Sequence, residues 1–111
     1  MRVRCKKNRS SGIKHALTIG ADYEVVGIEC GDFRILDDRG DPILFERTLF
    51  RVLDRTRPQS WVTKTMDGAE YSYAPPFGKP GFWEDYHDNV ASARRAFNRY
   101  LNEHLRLTEA A

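Results

Sequence analysis

Seven consecutive residues hold the densest chemistry in the chain: Phe82-Trp83-Glu84-Asp85-Tyr86-His87-Asp88 sets three aromatics, three acids and a histidine side by side. Rings beside carboxylates suit a protein contact with a cationic surface, because desolvated aromatics supply much of the energy at interface hot spots. The same rings would equally dock and cap a helix, and both readings apply to this run. Glu84 and His87 have the three-residue offset of di-metal carboxylate helices, which need a second such pair facing the first. Glu103-His104 has the wrong spacing to supply it, so no metal site is expected. A second acidic group, Asp37, Asp38 and Asp41, surrounds Arg39-Gly40. It lacks the spacing and terminal Glu of a calcium loop and reads as a turn whose carboxylates are presented at its tip.

Nucleophilic chemistry finds no constellation. His15, His87 and His104 are scattered, and Ser60, Ser72 and Ser92 lie in no glycine-flanked nucleophile turn. Phosphate-cradling glycine loops are likewise missing, so neither a catalytic residue nor a cofactor is expected. Cys5 and Cys30 match no zinc, haem or redox spacing; both fall in expected strands, and free thiols are the expected state. The remaining chemistry is cationic: Arg2, Arg4, Lys6, Lys7, Arg9 and Lys14 fall within the first sixteen residues with no acid among them. Residues 17 to 54 then carry nine acids against four bases. A basic arm on an acidic body could track a nucleic-acid backbone, as small barrels do with cationic loops.

These groups must be positioned by the 111 residues, 41% hydrophobic and 31% charged, which are enough for one domain with its own core. The composition excludes collagen-like, mucin-like and extensively disordered chains. A net charge of +2 is too small to argue for a polyanion or a membrane surface. No apolar run approaches the roughly 18 residues of a membrane span, and no secretory signal is seen, so a cytoplasmic location is expected.

Val3 and Cys5 alternate with Arg2, Arg4 and Lys6 as in a half-buried strand, and a long polar loop over Lys7 to Gly12 should follow. Gly20 marks a turn and Gly27 a bend within the next strand. Phe33 to Leu36 and Ile43 to Phe45 read as strands joined by the Asp37 to Asp41 loop. A helical turn over Glu46 to Phe50 and a short strand at Val52 and Leu53 complete five strands. Asp67-Gly68 between two alternating runs predicts a tight hairpin over 61–74. Three prolines and two glycines between Ala74 and Gly81 bar helix and central strand. A helix is expected over 82–107, capped at Asp88 or Asn89, with Val90, Ala93, Phe97, Tyr100, Leu101 and Leu105 on its apolar stripe.

Leu17-x-Ile19-Gly20-x-x-Tyr23-x-Val25, the Asp37-Asp38-x-Gly40 loop and Phe45-x-x-x-Leu49-Phe50-x-Val52 resemble the SH3-like small β-barrels of short bacterial and phage proteins. The resemblance covers residues 1–54. It implies a mainly β, α+β fold: a five-stranded barrel, then a β-hairpin and a C-terminal helix, in a single domain. It specifies no reaction. In style the chain also resembles immunity proteins, which block a cognate toxin. That likeness implies a non-catalytic protein-binding module, monomeric or homodimeric, whose partner is another protein. Asp37, Asp38, Asp41, Glu84, Asp85 and Asp88 would meet a basic surface, and Trp61, Trp83 and Tyr86 would be anchors if exposed. Nucleic-acid binding through the basic arm is the alternative.

Overall fold

Alternation sets the first strand of the computed structural model, which describes residues 1–106. β1 (Arg2–Cys5) buries Val3 and Cys5 and turns Arg2 and Arg4 outward. The expected long loop after it is instead a miniature hairpin, β2 (Arg9–Ser10) and β3 (Ile13–Lys14), in which Arg9 lies opposite Lys14. Ser11 and Gly12 both adopt positive φ, the geometry that reverses a strand in two residues.

β4 (Asp22–Glu29) and β5 (Asp32–Leu36) form an antiparallel pair whose register shifts between Val25 and Gly27. The bulge explains why strict alternation fails: Val25, Val26 and Ile28 are all buried. Cys30 lies in the tight turn between these strands at φ 52°, so the expected strand position for this cysteine is corrected. It is exposed, Cys5 is buried, and both are free. β6 (Pro42–Phe45) pairs with β5, and a 3₁₀ turn at Arg47–Leu49 leads into β7 (Phe50–Asp54), which returns beside β1. Tyr23, Phe33, Ile35, Phe45, Leu49 and Phe50 are buried along these elements, each large side chain contributing roughly 1.5–3 kcal/mol. Ile19 departs from the barrel pattern and is 60% exposed.

The order β6-β5-β4-β1-β7 is open, not closed as expected. The 3₁₀ turn hands β6 to β7 without a hairpin, and no ladder joins these two end strands among the described residues. β8 (Val62–Met66) and β9 (Ala69–Tyr73) form the expected hairpin around Asp67 and Gly68, both at positive φ, and β9 adds to β4 beyond its bulge. β8 pairs only with β9; every residue of it is exposed, with Val62 at 48% and Met66 at 50%.

The described chain divides after Pro75 into two compact units. The strand-built unit ends there. The second holds α1 (Phe82–His87) and α2 (Ala91–Leu101), followed by a π-type turn at Asn102–Arg106. The helical span 82–107 left open whether Phe82 to His87 forms a separate turn; it does, and Asn89 at φ 62° divides it from α2. The N-cap of α2 is Val90, without a side-chain cap, instead of Asp88 or Asn89. Arg94 ties the two helices together: its Nε donates to the Tyr86 carbonyl at 2.8 Å and its guanidinium lies 4.0 Å over the Tyr86 ring. Phe77, Phe82, Trp83, Tyr86, Phe97 and Tyr100 make edge-to-face contacts around the fully buried Phe97 and form the core of this unit. The Leu105 side chain and Leu107 fall outside the described part of the chain.

Candidate functional site

The acids at the tip of the β5–β6 connection are held in place by the turn itself. Asp37 Oδ1 accepts from the backbone amides of Arg39 at 2.9 Å and Asp41 at 3.0 Å, a side chain standing in for a backbone turn. Asp38 accepts from the Tyr23 hydroxyl at 2.6 Å and from the Thr18 hydroxyl at 2.8 Å, while its amide donates to the Ala16 carbonyl. These bonds pin the loop to residues 16–23. Burial, then the hydrogen bond to Asp38, pushes the Tyr23 phenol above its ordinary value. Asp37 and Asp38 therefore serve the fold first. Asp41 makes only backbone bonds.

In the helical unit the three carboxylates of the aromatic run, Glu84, Asp85 and Asp88, are exposed, and no ion pair engages them among the described residues. Trp83 and Tyr86 are buried at 7% and 4%, and Trp61, in the strand-built unit, at 8%. Exposure was the condition for these three rings to act as partner anchors, and it is not met: they are core residues. Trp61 Nε1 is enclosed without an acceptor among the described residues. His87 stands against the Tyr86 ring at 5.4 Å. Among the described residues no three His, Cys, Asp or Glu side chains converge as metal ligands would.

The basic residues are brought together in part. Lys6 and Lys7 leave β1 with their amides bonded to the Leu49 carbonyl, and Arg9 and Lys14 follow on the adjoining hairpin, all four exposed. Arg2 is exposed as well, but Arg4 is engaged by Asp22 through two bonds of 2.7 and 3.3 Å. That partner also holds the Asp22 carboxyl below its usual range.

With this geometry in place, comparison with protein-family models, curated proteins and solved structures returns no match. The chemistry of this chain is thus read from its own residues.

Two arrangements were not apparent from spacing. Ser10 Oγ lies 2.6 Å from His15 Nε2, beside an open cavity lined by Asn8, Lys14, Leu17, Thr18 and Asp38. A nucleophile and a base at that distance still lack, among the described residues, a carboxylate orienting the ring, so the pair is read as a hairpin contact. The second arrangement is a buried polar triad. Arg34, 7% exposed, donates to the Tyr73 hydroxyl at 2.9 Å, the Pro42 carbonyl at 3.0 Å and Glu29 Oε1 at 3.1 Å, and Tyr73 donates to the same Glu29 oxygen at 2.5 Å. It joins β4, β5 and β9, and burial, against the lowering effect of the Arg34 charge, raises the Tyr73 phenol far above its ordinary value. One sequence signal points to it: an arginine inside the apolar run Phe33 to Leu36.

Proposed function

We propose that the chain is a non-catalytic binding module whose acidic surface meets a basic site on another protein, in the manner of an immunity protein occluding a toxin. The observation that carries this reading is in α1. Glu84 and Asp85 on α1 and Asp88 at its C-cap are exposed, no ion pair engages them among the described residues, and the other face of this short helix is held by buried Phe82, Trp83 and Tyr86. Carboxylates on a braced scaffold steer a cationic partner and disfavour an anionic one. For the strand-built unit we infer an SH3-like architecture. Supporting it are the order β6-β5-β4-β1-β7, the 3₁₀ turn before the last of these strands, and the buried Leu49-Phe50 pair beside that turn.

A second reading rests on the register of the first hairpin. Arg9 and Lys14 stand directly opposite each other. Like charges in that position are unfavourable until an anion lies across them. With Lys6 and Lys7 they form a footprint for a nucleic-acid backbone.

Charge reversal separates the two. The triple variant Glu84→Lys, Asp85→Lys, Asp88→Lys should lose a protein partner that wild type captures from native lysate in a nuclease-resistant, stoichiometric complex. The triple variant Lys6→Glu, Lys7→Glu, Arg9→Glu should keep it. The opposite pattern, with nucleic acid recovered and lost on nuclease treatment, would replace the first reading by the second.

A further inference from the structure

A cavity of about 350 Å³ opens in the strand-built unit, at the lower end of the range for small-molecule sites. Ile28, Phe33 and Val52 give it an apolar floor, and Arg47, Arg55 and Arg57 stand around it with a single carboxylate, Glu70. Arg57 Nη2 lies 2.8 Å from Glu70 Oε1, so this pair neutralises itself. Arg47 and Arg55 are uncompensated: no hydrogen bond or ion pair engages either guanidinium among the described residues. Gly31, at φ +81°, lines the cavity beside Arg47, whose Nη1 would stand 3.0 Å from a Cβ placed there.

We propose that this cavity binds a phosphate monoester carrying an apolar or aromatic body, of nucleoside monophosphate size. Charge favours phosphate over carboxylate. Two free guanidiniums match the roughly −1.5 to −2 of a phosphate monoester, and the planar fork of arginine donates to phosphate oxygens in pairs. The body of the ligand then lies over Val52, the half-buried apolar side chain of the lining, while Ile28 and Phe33 close the cavity from the core side. The site uses no residue of the acidic surface, so it stands or falls independently of the protein-binding reading. The phosphate has two sources, a free nucleotide or the 5′ end of a nucleic acid, and the probes separate them.

The test is an amide-resolved NMR titration of the full chain with adenosine 5′-monophosphate, adenosine, and octathymidylate with and without a 5′-phosphate. The monophosphate, or the phosphorylated octamer, should shift the Gly31 and Phe33 amides with a dissociation constant below about 1 mM. Adenosine and the unphosphorylated octamer should bind at least about tenfold more weakly. Arg47→Gln with Arg55→Gln should weaken the phosphate-bearing probe at least about tenfold while leaving the spectrum dispersed. Glu70→Gln, which releases Arg57, should not weaken it. Should the double variant lose dispersion, Arg55→Gln alone, beyond the end of β7, provides the comparison. Saturation by the monophosphate alone identifies a free nucleotide, and by the phosphorylated octamer alone a nucleic-acid end. The proposal fails if no phosphate-bearing probe shifts these amides, if the arginine variants bind as wild type does, or if both octamers bind equally.

Discussion

Arg34 is buried and donates to oxygens of Tyr73, Pro42 and Glu29, and its removal would leave the Glu29 carboxylate, 25% exposed, with the Tyr73 hydroxyl as a donor but without this cation. Replacing one member of such a pair leaves a charge without compensation, at a cost of about 3–5 kcal/mol. Arg34→Met should therefore lower the urea midpoint by an amount of that order, and adding Glu29→Gln should restore part of the loss. Tyr73 adds a pH dependence. Its folded-state pKa is raised, so the folded chain retains a proton that the unfolded chain releases above about pH 10. Stability from this group is complete below that pH and falls as pH rises beyond it. Tyr73→Phe should flatten the alkaline limb of a stability profile measured by urea titration between pH 8 and 11, roughly the range spanning the ordinary tyrosine value. Gly27 faces the same ring across the ladder, and a Cβ there would overlap Tyr73. Gly27→Ala should cost about 1–3 kcal/mol, read by the same denaturation.

The elements differ in how openly the sequence announces them. Asp67-Gly68 is legible because few residue pairs accept positive φ twice in succession, and the flanking runs alternate. Val3 and Cys5, the buried Tyr23, Phe33, Phe45 and Phe50, and the stripe Ala93, Phe97 and Leu101 are legible by period alone. The break at Asn89 is not, because an asparagine in the left-handed region looks in sequence like an ordinary helix-capping residue. The β2–β3 hairpin is hidden for a related reason: two-residue strands carry too little alternation to register. At the candidate site, the acids of the run Phe82 to Asp88 are visible as charges, but whether their neighbouring rings face solvent depends on packing against Phe77 and Phe97, which lie five residues before and nine after this run. Since Val90, the N-cap of α2, has no side-chain acceptor for the first amides of the helix, Val90→Asp should stabilise the helical unit by about 1 kcal/mol. Thermal unfolding followed by circular dichroism at 222 nm checks it.

At the scale of the whole molecule, opposite charges nearly cancel to +2 while each sign remains concentrated in its own segments. Attraction of a partner to the α1 carboxylates is then a local field, screened within a Debye length of about 8 Å at physiological salt. With a captured partner, Glu84→Lys, Asp85→Lys, Asp88→Lys should slow association at least about tenfold at low salt and change dissociation far less, as surface plasmon resonance would measure. The two units each contain one tryptophan, Trp61 in the strand-built unit and Trp83 in the helical one. Single-tryptophan variants therefore report the unfolding of each unit separately. A further consequence belongs to β8, the exposed strand that among the described residues pairs on one side only. Val62-Thr63-Lys64-Thr65-Met66 is a β-prone segment, and a charge at the centre of an edge strand disfavours the addition of a second copy there. Removing that gatekeeper by Lys64→Val would turn a quiet margin of the fold into a seed for amyloid, detectable as thioflavin fluorescence during storage in a sample whose fold is otherwise intact.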